Sequence, residues 1–490
     1  MATKIDIHNE LNSVEEDSID ELSKSKNFYW TGHPFVDAGL AAVLIFSGKN
    51  KPHELTGKDV ISTIEFISEL YSKEEWVKYL HGKIFPNSGL LMVNPSMKRN
   101  RKPENLAGRL KQLYDSIEPL KKSHDRGVCA VCGRREIYKG DYEVYRSIFP
   151  LLGTGGMLNF FPSANENGFD LCSHCLFLTQ FMPLTSYNLP NVLLIHSYPY
   201  EKMIEFSKEP NIYATEYKLV SSARNFRKPE NFLFRKIMEI TRKVESKSRF
   251  WEHTIITLYY FINGNRSGQQ KVDIIQIPNS ALKFISFAGE KEYNGWKTIL
   301  NMGWVVKKAK KDELSFEDLE KGYSNNVYQK ILNEESILPY FYNSNKKKAN
   351  AKWRLLEFYC LEVLGLDKDT LKFIKEVGDK IVETIDPLSD NKLKKVIREL
   401  ETAKKLYQFS NFFIQLEKIR QKNNLKNAFL SFDEFSLLLT GYGEELNTSW
   451  YTVKNLLLFR IYEKMHNRLI KIDLDEEIEE NDDEMPYGGE

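Results

Sequence analysis

Two short cysteine pairs constrain this chain more than any other feature. The first is Cys129-Ala130-Val131-Cys132-Gly133 and the second is Cys172-Ser173-His174-Cys175, and together they use four of the five cysteines. In each pair the C-x-x-C spacing lets two thiolates from one tight turn reach the same metal. Two such turns facing each other make a closed four-thiolate site, which suits zinc. The expected cofactor is therefore one structural zinc held by Cys129, Cys132, Cys172 and Cys175, tying residue 129 to residue 175. The fifth cysteine, Cys360, lies in an apolar helical stretch and reads as a small core residue. Paired thiols of this kind fit a metal better than a disulfide framework, which points to a reducing cytoplasm.

The 490 residues suffice for several domains. The net charge of +1 hides an asymmetry. Residues 346–471 carry 24 Lys and Arg against 17 acids, residues 472–490 carry 10 acids and no base, and residues 1–26 carry 3 Lys against 7 acids. A basic body between acidic ends suits a polyanion partner. The N-terminus is acidic and lacks the apolar run of a signal peptide. The longest apolar run, near residues 35–46, is too short to span a bilayer, so no membrane association is expected.

Residues 1–26 read as a solvated acidic segment. Helical periodicity predicts a buried helix over 35–47 and a helix over 59–81 with Gly82 as its stop. Residues 90–93 form a short apolar run expected as a strand. The cluster Lys98, Arg99, Arg101 and Lys102 follows, bracketed by Pro95 and Pro103. A proline-bounded loop cannot bury these charges, so it either contacts phosphates or is simply solvated. Between the cysteine pairs, the glycine-rich turn at 152–156 matches neither a P-loop nor a dinucleotide fingerprint. The loop at 159–168 places Asn159, Asn165 and Asn167 near aromatic rings, a combination able to read base edges. Residues 254–262 and 271–277 read as paired strands whose tip carries Asn263, Asn265 and Arg266, a further candidate nucleic-acid contact.

The lysine-rich stretch at 343–350 reads as a linker. Beyond it the pattern is helical: stripes over 353–363 and 371–385, one long helix from Ser389 to Lys422, a capping box at Ser431–Glu434, and a last helix over about 448–470. The expected fold class is α+β. A mixed N-terminal region (27–345) carries an inserted four-cysteine zinc ribbon at about 124–180, and an all-α bundle (346–472) precedes an acidic disordered tail (473–490).

No catalytic motif emerges. Zinc-stabilised HNH nucleases share the paired-cysteine frame but need a histidine base between the pairs, and residues 133–171 contain none. His174 is expected to point away from the metal, and His33, in Gly32-His33-Pro34, to act as a turn or packing residue. An HNH-like zinc nuclease and a stand-alone zinc-ribbon nucleic-acid binder remain the alternatives.

The order Tyr29-Trp30-Thr31-Gly32-His33-Pro34-Phe35-Val36-Asp37-Ala38-Gly39-Leu40, then Cys129-Ala130-Val131-Cys132-Gly133, the loop at 153–167 and Cys172-Ser173-His174-Cys175 resembles the CRISPR-associated CXXC–CXXC family. That family provides the large subunit of type I-B Cascade surveillance complexes. The resemblance covers roughly residues 27–200. It implies a non-enzymatic subunit, acting in antiviral defence, that inspects duplex DNA for a protospacer-adjacent motif. Such a subunit supports R-loop formation and recruits a helicase–nuclease, while CRISPR RNA reads the target by base pairing. The implied partners are that RNA, double-stranded target DNA, the helicase–nuclease, and the backbone, handle-binding and small Cascade subunits. The helical C-terminal region would resemble the small subunit. Such a region can also be made as a separate product, but here no Met lies between Met302 and Met465 to start one.

Overall fold

The computed structural model describes residues 26–121, 125–142, 144–152, 164–165, 168–243, 250–264, 270–307, 311, 313–423, 428–441 and 449–483, of which 164–165, 168–169 and 473–483 are described by their backbone alone. It divides the chain into two compact units, residues 1–229 with 253–277, and residues 230–252 with 278–490. The expected acidic segment at 1–26 lies outside the described residues except for Lys26.

The first unit is built around α1 (Pro34–Phe46). His33 caps it, its Nδ1 accepting from the Phe35 amide, and Pro34 opens it with a preset φ. Nearly every residue of α1 is buried, as an all-round apolar helix requires. Helix α2 (Gly57–Ser72) starts in a Thr56/Asp59 capping box and buries Val60, Ile64, Ile67, Leu70 and Tyr71. The helix expected to continue to residue 81 breaks at Lys73, which is extended (φ −71°, ψ 143°), and α3 (Glu74–Lys83) restarts on two glutamates that favour a helix N-terminus. The apolar stripe runs across the break, so periodicity alone does not reveal it. Residues 90–93 are not a strand. Leu90, Leu91 and Val93 fill the core from an irregular loop in which Met92 takes φ +50°. Helix α4 (Pro103–Asp115) follows.

A short antiparallel pair, β1 (Ala164–Asn165) and β2 (Gly168–Phe169), precedes α5 (Ser173–Thr179). The main sheet has the order β3 (Tyr187–Asn188), β4 (Val192–Tyr198), β5 (Ile255–Asn263), β6 (Gln270–Ile277), all antiparallel. Helix α6 (Tyr200–Thr215) leaves the end of β4. Of the paired strands expected at 254–262 and 271–277, both are present in register from Ile256↔Ile277 to Asn263↔Gln270.

The second unit holds α7 (Pro229–Lys243), α8 (Asn279–Lys291), α9 (Tyr293–Gly303), α10 (Phe316–Gly322) and α11 (Asn326–Leu332). The stretch read as a linker at 343–350 is a hairpin of β7 (Tyr342–Asn343) and β8 (Lys348–Ala349). Lys347 pairs with Glu401 at 2.6 Å, and buried Asn350 donates to the Tyr340 carbonyl. A lysine-rich turn looks alike in sequence whether it links or folds back. The helical remainder comprises α12 (Trp353–Glu362), α13 (Lys368–Ile385), α14 (Asp390–Thr402), α15 (Leu406–Lys422), α16 (Phe432–Thr440) and α17 (Trp450–Asp483).

The single helix expected from Ser389 to Lys422 is thus two helices. Lys454, on α17, donates to the carbonyls of Glu401 and Ala403 and so satisfies the end of α14. That cap comes from some fifty residues away, out of reach of any local reading. The Ser431/Glu434 capping box occurs as expected, and the helix it opens ends at Gly441 (φ +76°). Helix α17 outruns the expected end near residue 470 and takes in part of the acidic 473–490 segment, because the stretch up to Asp483 has no Gly or Pro to stop it. The result is the mixed α+β architecture with a helical C-terminal region. Among the described residues no helix is long and apolar enough to cross a membrane.

Candidate metal centre

Two elements bring the cysteines together. The Cys129–Cys132 turn closes through the Gly133 amide on the Cys129 carbonyl (2.9 Å), with Gly133 at φ +61°. An antiparallel bridge between Val128 and Glu136 holds its stem. The second pair straddles the start of α5, with Cys172 as N-cap and Cys175 in the first turn. The amide of Ala130 donates to the Asp170 carbonyl and that of Tyr138 to the Leu171 carbonyl (both 2.7 Å), stitching the two turns side by side.

All four sulfurs lie within 4.8 Å of one another. Cys129 Sγ is 3.8 Å from Cys175 Sγ, and Cys132 Sγ is 3.7 Å from Cys172 Sγ. A tetrahedron with metal–sulfur bonds of about 2.3 Å has an edge of about 3.8 Å, so these two opposite edges already have the length a bound ion requires. They are far too long for disulfide bonds. Cys129, Cys172 and Cys175 are buried. The four cysteines could therefore hold a metal ion, and all four coordination positions would be filled by sulfur.

The electrostatics also call for a cation. Hydrogen bonds from Cys129 first, then Cys172 and Cys175, pull the Cys132 thiol far below the usual thiol value. Hydrogen bonding to Cys129 and Cys132 pushes Cys172 far above it, and burial does the same to Cys175. One thiolate stabilised by its neighbours thus opposes the next. Four thiolates coexist only around an ion.

The surroundings are built for excess negative charge. The His174 ring stacks on Tyr29 (centroids 4.6 Å apart, planes at 11°), with Nδ1 4.0 Å from Cys175 Sγ. His174 is thus a neighbour of the cluster and not one of its four sulfur donors. Burial, with Arg135 nearby, lowers its pKa to about 3, so it is neutral. The guanidinium groups of Arg134 and Arg135 lie 4.8 and 5.4 Å from the Tyr29 ring centroid. Arg135 is buried and donates to the carbonyls of Glu118, Lys26 and Asn27. Lys26 in turn donates to the carbonyls of Tyr114, Asp115 and Ile117. The cluster is thereby wired to the loop that carries Tyr29 and Trp30.

That loop has a second anchor, which sequence reasoning did not single out. The Asp37 carboxylate, fully buried on α1, accepts from the Thr31 amide (2.7 Å), the Thr31 hydroxyl (2.9 Å) and the Gly32 amide (3.0 Å), and meets His196 Nε2 at 3.2 Å. The available signal was an acid inside an otherwise apolar helix, since a buried carboxylate needs several partners. His33 is a packing residue, as expected, and in addition caps α1. Burial and His196 lower its pKa to about 3, and its ring meets Phe149 edge-on at 5.1 Å.

The expected nucleic-acid residues are placed unevenly. Lys98 and Arg99 stand exposed on a 3-10 turn (Pro95–Asn100), and Lys102 is exposed at the start of α4. Arg101 is half-buried, close enough to Glu74 and His81 to act on their charge. Asn263 does not belong to a solvated tip. It is buried, and its Nδ2 donates to the carbonyls of Ile84 (2.7 Å) and Arg146 (2.8 Å). The strand simply ends one residue later than the tip reading supposed. Asn159, Asn167, Asn265 and Arg266 lie outside the described residues, and of Asn165 only the backbone in β1 is described. Two further cations were missed. Lys83 and Arg224 line a cleft of about 520 Å³ with Lys78, Glu74, Glu75 and Asn188. Burial and Arg224 lower Lys83 to about 8, while its ammonium donates to Asn188, Leu189 and Pro190.

Residues 122–187, the segment that carries all four cysteines, match the family described as CRISPR-associated protein (Cas_CXXC_CXXC). Searches of curated proteins and of solved structures each return no match.

Proposed function

We propose that this chain, which its cysteine-bearing segment identifies as a CRISPR-associated CXXC–CXXC family protein, is the non-catalytic large subunit of a type I-B Cascade complex. In this reading it works in the cytoplasm, scans duplex DNA for a protospacer-adjacent motif, supports R-loop formation and recruits a helicase–nuclease. Target sequence is read by the CRISPR RNA, and the protein contributes motif recognition and backbone contacts. The observation that carries the proposal is the four-sulfur cluster inside the matched segment. Its donor set suits zinc, and with every position taken by a cysteine the ion has a structural role and no site for a substrate water. When bound, zinc would supply folding energy by fixing the 129–132 turn to α5.

The DNA-facing candidates with described geometry are Lys98, Arg99 and Lys102, all exposed, with Arg101 beside them. Replacing all four by Ala should weaken duplex binding and flatten the slope of log K against log salt by about 3–4, since each phosphate contact contributes about 0.9. An unchanged slope would remove this loop from the interface. The deciding experiment for the whole reading is gentle purification of the tagged chain from its own host, followed by sequencing of any RNA that accompanies it. RNAs of one length, each with a common repeat-derived end and a variable spacer, support the Cascade subunit. No RNA, or a heterogeneous mixture, turns the reading toward a stand-alone nucleic-acid binder. Metal-dependent cleavage by the isolated chain would establish a nuclease instead.

A further inference from the structure

Next to the Asp37 anchor lies a ledge of aromatic rings outside the cysteine cluster. Trp30 stacks on Tyr200 with centroids 4.3 Å apart and planes at 8°. Tyr198 meets Tyr200 edge-on at 5.6 Å and is 56% exposed. Its cross-strand partner Ile255 is 62% exposed. These rings line the surface where β4 hands over to α6, and the core does not account for the exposure of Tyr198.

The ledge is rigid. Trp30 sits in the loop held to Asp37 by two backbone amides and the Thr31 hydroxyl, and Asp37 also meets His196, two residues before Tyr198 on β4. One buried carboxylate thus fixes both sides of the ring stack. The ledge also carries a cation. Arg134 is exposed, lies over the neighbouring Tyr29 ring at 4.8 Å, and is close enough to Tyr200 to act on its hydroxyl. Its backbone follows directly on the Cys129–Gly133 turn, so its position is set by the cluster. Glu201 and Glu205 lie near Lys202, and Glu205 pairs with Lys208 at 2.6 Å, so the exposed Arg134 is the cation the ledge offers to an incoming anion.

We infer that Trp30, Tyr198, Tyr200 and Arg134 form a stacking site for an unpaired nucleobase of single-stranded DNA, with Arg134 serving the adjacent phosphate. Flat, fixed aromatic faces next to a guanidinium are what single-strand binders present, because every base has a face to stack and the backbone has a charge to meet. A paired base inside a duplex has both faces covered by its neighbours and gains nothing from such a ledge. The proposal rests on the reading of this chain as a subunit that helps to open DNA, and it locates one place where an opened strand is held.

The test uses the full chain, with zinc supplied, and fluorescence anisotropy on three probes of equal length: an oligo-dT strand, an abasic sugar–phosphate strand and a duplex. Loss of one stacked base costs about tenfold in affinity. The expected results are that Tyr198→Ala weakens oligo-dT binding about tenfold, that Tyr198→Phe does not, and that Arg134→Gln weakens both single strands. The abasic strand should bind more weakly than oligo-dT and be insensitive to Tyr198→Ala. Equal binding of oligo-dT and abasic strands, or oligo-dT binding unaffected by Tyr198→Ala, overturns the proposal. If Tyr198→Ala instead strips a protein subunit from the purified complex and leaves oligo-dT binding intact, the ledge is a protein interface and the proposal fails. Wild-type protein that brings down uniform guide RNA while the ledge variants bind oligo-dT normally would sink the ledge alone. Wild-type protein with no RNA would sink the subunit reading.

Discussion

Adding a single methyl group at Gly39 should separate α1 from α5 and loosen the cysteine cluster with them. A Cβ built on Gly39 would lie 1.7 Å from the carbonyl oxygen of Leu178 and 2.5 Å from its carbonyl carbon. Both are backbone atoms, so no side chain can swing aside. Restoring an ordinary contact requires the helices to part by about 1.5–2 Å, enough to forfeit much of the dispersion energy along their shared face. Overpacking typically costs about 1–3 kcal/mol, and a clash with fixed backbone belongs at the top of that range. At about 2–4 °C per kcal/mol for a unit of this size, Gly39→Ala should lower the first melting transition by roughly 6–12 °C. Because α5 carries Cys175 and is capped by Cys172, its displacement also stretches the 3.8 Å and 3.7 Å sulfur edges. Zinc should therefore pass to a chromogenic chelator faster than from the wild type. The control is the same substitution at Gly108, inside α4, where a Cβ meets nothing within 4 Å. There Ala should raise stability by about 0.5–1 kcal/mol, since Gly is the poorer helix former. A Gly39→Ala protein that melts within a degree of wild type and keeps its zinc would refute the packing argument.

Three further outcomes are expected. Metal analysis should find about one zinc per chain, and Cys132→Ser should abolish tight binding, with loss of near-ultraviolet dichroism from the first unit; a metal-free wild type of full stability would contradict this. Asp37→Asn places an amide against two backbone donors and a hydroxyl that need an acceptor, and should cost about 2–3 kcal/mol in denaturant unfolding, read as a lower midpoint. The two units should respond to pH in opposite directions. His33 titrates at about 3 when folded against 6.5 normally, so the unfolded chain binds the proton first and the first unit loses stability as pH falls from about 6.5 to about 3. Glu320, buried, is raised to about 7 from 4.5, so the folded chain holds its proton longer and the second unit loses stability, up to about 3 kcal/mol, as pH rises from about 4.5 to about 7. Hydrogen exchange at α1 and α10 across this range checks both signs, and Glu320→Gln should flatten the second.

The cysteine spacing determined the candidate centre by itself. Two C-x-x-C turns limit which four atoms can meet, and the fold brought those four sulfurs together. Local chemistry also set what it controls locally: the His33 and Pro34 start of α1, the capping box of α16, and the apolar stripes that became the cores of α2, α13 and α17. Longer-range facts were out of reach. The end of α14 is set by Lys454, the role of Asp37 by His196 on a distant strand, and the burial of Asn263 by the carbonyls of Ile84 and Arg146. A side chain on a turn reads as solvated until the backbone packed against it is known. The same holds for the aromatic ledge: Trp30 and Tyr200 are far apart in sequence, and only the tertiary fold, through one buried carboxylate, makes them a single surface.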